Sequence, residues 1–278
     1  MKIAFYGKGG IGKSTVAANV SAALAMEGEK VLLIGCDPKA DSTRLLTQKK
    51  IPTVLQQLNT SEAALCREDI VFPGQCGVSC LEAGGPQAGS GCAGMGITAM
   101  EAELRRLGIL EEPWDAVVYD VLGDVVCGGF SVPMRKGFAE KVFVVTSADY
   151  MALYAANNIL KGIRSFSGPG NNLMGGLILN HCRGAAELEI GQEFARRTNT
   201  QIALCLPQCA EIAAADYRRQ LVTAAYPDSE ASLRIRQFAL KMDTFSSDAL
   251  PQPMDDETLE EFGQWAGRLK EAHNGGSL

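Results

Sequence analysis

The run Gly7-Lys8-Gly9-Gly10-Ile11-Gly12-Lys13-Ser14-Thr15 follows directly on the apolar stretch Ile3-Ala4-Phe5-Tyr6, and it constrains this chain more than any other part of it. It fits G-x-x-x-x-G-K-[ST], the phosphate loop, in the place such a loop needs, between an expected strand and an expected helix. Gly9, Gly10 and Gly12 keep side chains clear of backbone N–H groups that approach phosphate oxygens. Lys13 supplies a point charge toward the β- and γ-phosphates, and Ser14 a hydroxyl for Mg²⁺. The expected helix, Ser14 to about Met26, aims its N-terminal dipole at the same anion, so Gly9 to Thr15, Ile11 included, form the expected phosphate-holding set. The bland alternative, a glycine-rich turn without a ligand, explains the motif but not its context.

Downstream, Lys30 to Gly35 is a continuous apolar run of the kind buried on both sheet faces, which completes a βαβ unit. At its end Cys36-Asp37-Pro38-Lys39-Ala40-Asp41-Ser42-Thr43-Arg44 lies at the carboxyl edge, where open α/β sheets hold ligands. Its aspartates suggest an acid for water or Mg²⁺ and a segment responsive to a γ-phosphate; a helix-capping loop is the alternative. Further strands are expected at Val78 to Glu82, Trp114 to Asp120, Lys141 to Thr146, Leu173 to Asn180 and Gln201 to Leu206. Helices are expected at Ile97 to Leu107, Met151 to Phe166, Ala185 to Arg197, Glu211 to Ala215, Ser229 to Met242 and Glu257 to Ala272. This alternation predicts an α/β fold, a doubly wound, mostly parallel sheet with helices on both faces. Residues 1–243 are expected to form one phosphate-loop domain, and 244–278 a linker, a C-terminal helix and a flexible tail. Asp120 ends an apolar strand, the usual partner of a phosphate loop for Mg²⁺ or its waters, and Asp124 follows in the next loop. Asn180 ends another strand with an amide able to read a base edge.

A net charge of −6 argues against general nucleic-acid binding. No uninterrupted apolar stretch is long enough to span a bilayer, and the N-terminus runs straight into a strand, so a cytoplasmic protein is expected. Nine cysteines are many for that compartment, where core filling, metal or cluster ligation and reactive thiols are the choices. Cys76-x-x-x-Cys80 is a weak metal signal without a second pair, and reads as structural. Cys92 and Cys127 differ, because each lies in a glycine-rich loop after a strand. Residues 84–96 hold six glycines and a proline, and Cys127 precedes Gly128-Gly129. Two thiolates are too few for a cubane cluster, which takes four, but a two-fold homodimer supplies four. Two unrelated cysteines in turns remain the alternative on spacing alone.

Lys8, a second lysine inside the loop, either reaches solvent or points to a phosphate held by a second copy of the chain. In this position it resembles the deviant phosphate-loop ATPases, which include cell-division and plasmid-partitioning ATPases, arsenite-pump ATPases and the nitrogenase iron protein. The runs 7–15, Gly35 to Arg44, Gly91-Cys92-Ala93-Gly94, Tyr119 to Phe130 and Tyr154-Ala155-Ala156-Asn157-Asn158-Ile159 closely resemble the nitrogenase iron protein family, from Met1 to about Asn180.

The resemblance implies a homodimer with one [4Fe-4S] cluster bridged by Cys92 and Cys127 of both chains. It further implies MgATP-driven transfer of single electrons to a nitrogenase or nitrogenase-like catalytic protein, with ferredoxin or flavodoxin as donor and no nucleic acid or membrane involved. Lys8 would then reach across the dimer, Asp37, Lys39 and Asp41 form a first switch and catalytic segment, and Asn180 contact adenine. Asp120 and Asp124 would begin a second switch running into Cys127. Met95 departs from the family, which usually carries there an arginine that touches the partner and can be ADP-ribosylated. His181 reads as a packed or rim residue, and 180–183 and 207–209 also depart from the usual wording. Two alternatives stay open: the same chemistry serving a tetrapyrrole- or organosulfur-reducing partner, and a non-redox partitioning or positioning ATPase. Ala40, where tetrapyrrole-reducing relatives often carry His, leans away from the former. The acidic start of the last helix and the glycine-embedded thiols lean away from the latter.

Overall fold

Strand β1 (Lys2–Gly7) sends Ile3 and Phe5 to one face and Ala4 and Tyr6 to the other, all fully buried, so each face of the sheet carries its own apolar core. The computed structural model describes residues 1–86, 94–123, 131–135, 137–168, 171–246 and 249–274. After β1 come α1 (Lys13–Met26), β2 (Val31–Gly35), the single turn α2 (Arg44–Thr47) and α3 (Val54–Thr60). A capping box at Thr53 and Gln56 starts α3. Then follow β3 (Phe72–Pro73), β4 (Ser79–Glu82), α4 (Gly94–Arg106), β5 (Ala116–Leu122), β6 (Lys141–Thr146) and α5 (Tyr150–Phe166). The chain continues through β7 (Met174–Cys182), α6 (Ala185–Arg197), β8 (Ile202–Pro207), α7 (Ala210–Tyr217), α8 (Val222–Ala225), α9 (Glu230–Ala239) and α10 (Asp256–Asn274).

The described strands form one sheet in the order β3-β4-β2-β5-β1-β6-β7-β8, parallel throughout except for the β3–β4 pair. Helices α1 and α9 cover the Ile3 and Phe5 face, where Phe143 and Phe238 meet edge-on at 5.0 Å. Helices α4, α5, α6 and α10 cover the other face, and Phe262 of α10 is fully buried beside Phe194 of α6. Buried Asn157 of α5 fastens the coil that leads into α10, donating to Met254 O (2.8 Å) and accepting from Met254 N (2.9 Å).

Two boundaries move in ways that bear on the site. Pairing with β1 carries β5 two residues beyond Asp120, with Gly7 opposite Leu122, so Asp120 is inside the sheet rather than at its end. Strand β7 likewise continues past Asn180 to Cys182, where it pairs with Pro207. The one-turn helices α2 and α8 are too short to leave a periodic pattern. No helix among the described residues is long and apolar enough to cross a membrane.

Candidate functional site

Strand β1 releases the chain into the phosphate loop at the carboxyl edge of the sheet. Gly12, at the start of α1, has φ +85°, and a Cβ there would lie 2.4 Å from Asn180 Nδ2. That backbone and that contact together require glycine. The loop closes on itself through Ile11 N donating to Lys8 O (3.2 Å), and Gly12 O receives the first helical bond from Val16 N (3.0 Å).

The loop, the 37–43 segment and the ends of β7 and β8 surround a cavity of about 1040 Å³. Every residue from Lys8 to Thr15 lines it except Ile11, as do Asp37, Lys39, Asp41 and Asn180. Ile11 faces the core, and its carbonyl accepts from Asn180 Nδ2 at 2.8 Å, so Asn180 holds the loop from below. Lys39 and Asp41 are exposed, whereas Asp37 is buried and its Oδ1 accepts from Lys39 N at 2.9 Å. Ala40 takes a left-handed φ of 52° to make this tight segment. His181 stands exposed on the rim, also at positive φ.

Asp120 sits one layer deeper, fully buried, and forms an ion pair with the buried ammonium of Lys13, which still borders the cavity. Its second oxygen, Oδ2, is buried and accepts no hydrogen bond among the described residues. A free carboxylate oxygen under a phosphate loop suits a water of a bound Mg²⁺, and Lys13 can exchange Asp120 for a phosphate. The glycine cradle, the paired lysine and this orphan oxygen together fit MgATP. Asp124, Cys92 and Cys127 lie outside the described residues. Cys80 is a buried thiol pushed up to about 12, first by burial and then by Glu82, and it donates only weakly to Val78 O.

Two features of the site escaped sequence reasoning. The apolar wall includes Ile212, Val222 and Ile235, contributed by three helices with no motif of their own. Glu82, at the end of β4, is fully buried and accepts from Thr43 N (2.7 Å) and Thr43 Oγ1 (2.8 Å). Burial pushes its carboxyl up to about 8 against the pull of Thr43, helped by the charges of Asp120 and Asp41. The Cys36 thiol, buried between Asp120 and Glu82, is raised well above its usual range by burial and then by those acids.

Comparison with known proteins agrees with this geometry. Residues 1–267 match the family model described as 4Fe-4S iron sulfur cluster binding proteins, NifH/frxC family. The chain is 44% identical over 277 residues to nitrogenase iron protein 2 of Paenibacillus durus, covering 99% of this chain and 94% of that one. It is 45% identical over 262 residues to nitrogenase iron protein 2 of Methanothermobacter thermautotrophicus, covering 94% and 96%. Among solved structures, the MinD cell division protein of Aquifex aeolicus superposes with a TM-score of 0.65 at 18% identity, over 89% of this chain and 98% of that one. A ParA family ATPase from Chlorobium tepidum gives 0.67 at 19%, over 86% and 98%. At that identity the likeness speaks for the fold alone, that of a phosphate-loop NTPase.

Proposed function

We infer the function from kinship and geometry together: the chain belongs to the NifH/frxC family of 4Fe-4S iron–sulfur cluster binding proteins. It is an electron-transfer ATPase of the nitrogenase reductase type. The reading proposed in detail is a cytoplasmic homodimer that binds one [4Fe-4S] cluster through Cys92 and Cys127 of both chains and couples MgATP hydrolysis to single-electron transfer. The observation that carries it is the Lys13–Asp120 pair, because β5 leads from this nucleotide-side contact straight into the stretch that holds Asp124 and Cys127.

In this reading Lys13 leaves Asp120 for the β- and γ-phosphates as nucleotide enters, and Ser14 and Asp120 hold Mg²⁺ and its water. Asp37, Lys39 and Asp41 orient the attacking water and register the γ-phosphate, while Asp124 continues the path from Asp120. Lys8 lines the cavity, and its ammonium has no hydrogen bond or ion pair among the described residues, which leaves it available to a nucleotide on the partner subunit. Asn180 keeps the loop in register beside the adenine end. The cluster, when bound, supplies a one-electron carrier. Ferredoxin or flavodoxin is the electron donor, and the acceptor is a nitrogenase or nitrogenase-like protein. Met95, half exposed where relatives usually present arginine, favours a client other than a dinitrogen-reducing one. The fold likeness to MinD and ParA proteins leaves a positioning ATPase as the rival reading.

Anaerobic reconstitution followed by iron analysis and EPR separates the two. About four iron atoms per dimer are expected, lost in Cys92→Ala and Cys127→Ala but kept in Cys66→Ala. Wild-type protein that takes up no iron would overturn the redox reading. Lys8→Ala should leave nucleotide affinity within about threefold while removing the nucleotide effect on iron release to a chelator, a coupling of the usual allosteric size; an unchanged effect would refute the cross-dimer role.

A further inference from the structure

Glu82 is a fully buried acid with no ion-pair partner among the described residues, since the Lys13 ammonium is bound to Asp120. An apolar residue of similar size would pack there at lower cost. What the carboxyl group does is grip Thr43, at the end of the segment whose Asp37, Lys39 and Asp41 line the nucleotide cavity, by accepting from both its amide and its hydroxyl. Its second oxygen, Oε2, and the nearby Ser42 hydroxyl are both buried and have no hydrogen-bond partner among the described residues. The neighbouring strand makes room for this arrangement with Gly35, paired opposite Glu82: a Cβ there would fall 1.9 Å from Oε2 and 2.8 Å from Ser42 Cβ.

The chain beyond Glu82 is held against the same segment. Ala83 N donates to Gly35 O (2.8 Å), and Gly85 packs so closely on Pro38 that a Cβ would approach Pro38 Cβ to 2.5 Å. Gly96, in the first turn of α4, lies against Gly84, with a Cβ position 1.8 Å from Gly84 O. The 37–43 segment therefore touches the chain at and just past the end of β4 at two points, Thr43 on Glu82 and Pro38 on Gly85. The start of α4 does not meet that segment itself but packs through Gly96 on Gly84, beside Gly85. In the chain these contacts flank residues 87–93, which contain Cys92.

We propose that Glu82 is a positioning residue that ties the nucleotide-lining 37–43 segment to the backbone on either side of the Cys92 stretch. Movement of Thr43 on nucleotide binding is thereby passed to Gly84, Gly85 and Gly96. This is a second route from phosphate to cysteine, separate from the one along β5, and its meaning for a cluster rests on the function proposed above. The linkage is suited to switching rather than to gradual bending. Glu82 cannot shed Thr43 partway without leaving a buried acceptor unpaired, so two discrete arrangements are favoured over a continuum.

The test compares wild type, Glu82→Ala and Glu82→Gln. Two readouts are used: iron release from reconstituted protein to a ferrous chelator with and without MgATP, and hydrogen exchange of residues 83–86 and 94–97 in iron-free protein with and without MgATP. Glu82→Ala should keep about four irons per dimer and near-normal nucleotide affinity, yet lose about tenfold of the MgATP effect on iron release and the MgATP-linked change in exchange. Glu82→Gln, whose carbonyl still accepts from Thr43, should restore both. If Glu82→Ala fails to fold, Thr43→Val, which removes only the hydroxyl donor, should show a partial loss of the same two signals. A normal MgATP response in Glu82→Ala, or a Glu82→Gln that fails to rescue, overturns the proposal. Absence of iron uptake in wild type would instead sink the redox reading, and the exchange arm would still decide whether Glu82 links the two segments.

Discussion

Replacing Glu82 by glutamine should change how stability depends on pH, and the structure sets both the sign and the size. The folded protein holds this carboxyl at about 8 against an ordinary value of 4.5. Burial is the main cause; Thr43 pulls the value down through two hydrogen bonds, and Asp120 from β5 and Asp41 from the cavity segment push it up. The neighbouring thiols Cys36 and Cys80 are themselves raised, so neither adds a competing titration in the same window. Between those two values the folded chain keeps a proton that the unfolded chain has released. The folded state therefore binds more protons, and stability must fall as pH rises. The contribution is fully present below the unfolded value and lost progressively until pH reaches about 8, after which the slope vanishes. Each pH unit well inside the window is worth about 1.4 kcal/mol, which, flattening toward the two ends, sums to roughly 3.5 kcal/mol between about pH 5 and about pH 8. Glu82→Gln has no proton to exchange and should lack this slope, becoming more stable than wild type at the alkaline end. Urea unfolding of both proteins at matched concentration across that range is the assay, because a dimer's apparent stability moves with concentration. A wild-type to variant difference that stays constant with pH would refute the argument, since it would mean that Glu82 titrates alike in both states.

Two further outcomes follow from the cavity floor. Lys13→Gln strands Asp120 as an uncompensated buried charge and should cost about 3–5 kcal/mol in urea unfolding at neutral pH, where a surface lysine would cost little; Lys13→Gln paired with Asp120→Asn should recover much of it. Asn180→Ala removes the bond to Ile11 O and should weaken nucleotide binding by about fivefold in calorimetry, the equivalent of about 1 kcal/mol; unchanged affinity would show that Asn180 does not hold the loop.

The parts of this molecule legible from its residues are those whose physics is local. A loop that needs positive φ at Gly12 spells that need in glycine, and Ile3 to Tyr6 announce a strand buried on both faces by being apolar without interruption. What could not be read depends on strand order. Nothing near Glu82 in sequence indicates that β4 will lie beside β2 and present its last side chain to Thr43, thirty-nine residues away. Asn180 meets Ile11 across 169 residues for the same reason. Asp120 lies deeper in the sheet than its place at the end of an apolar run indicates, because the length of a parallel strand is set by its neighbour β1 and not by its own pattern.

The same strand order explains why the two buried acids behave differently. Strand β2 lies between β4 and β5, so the polar segment leaving it is flanked by Glu82 on one side and Asp120 on the other. Lys13 ends at Asp120, and a single ammonium cannot neutralise both. Burial first, and then the charges of Asp120 and Asp41 close by, push the unpaired Glu82 carboxyl up to about 8. A nucleotide that draws Lys13 away from Asp120 removes the cation that pairs with Asp120 among the described residues. It must bring Mg²⁺ with it, or the floor beneath the phosphates is left with an unpaired carboxylate beside a second one. Binding of ATP without a divalent cation should accordingly be much weaker than binding of MgATP, and Asp120→Asn should narrow that gap; an equal gap in the variant would place the cation's contribution elsewhere.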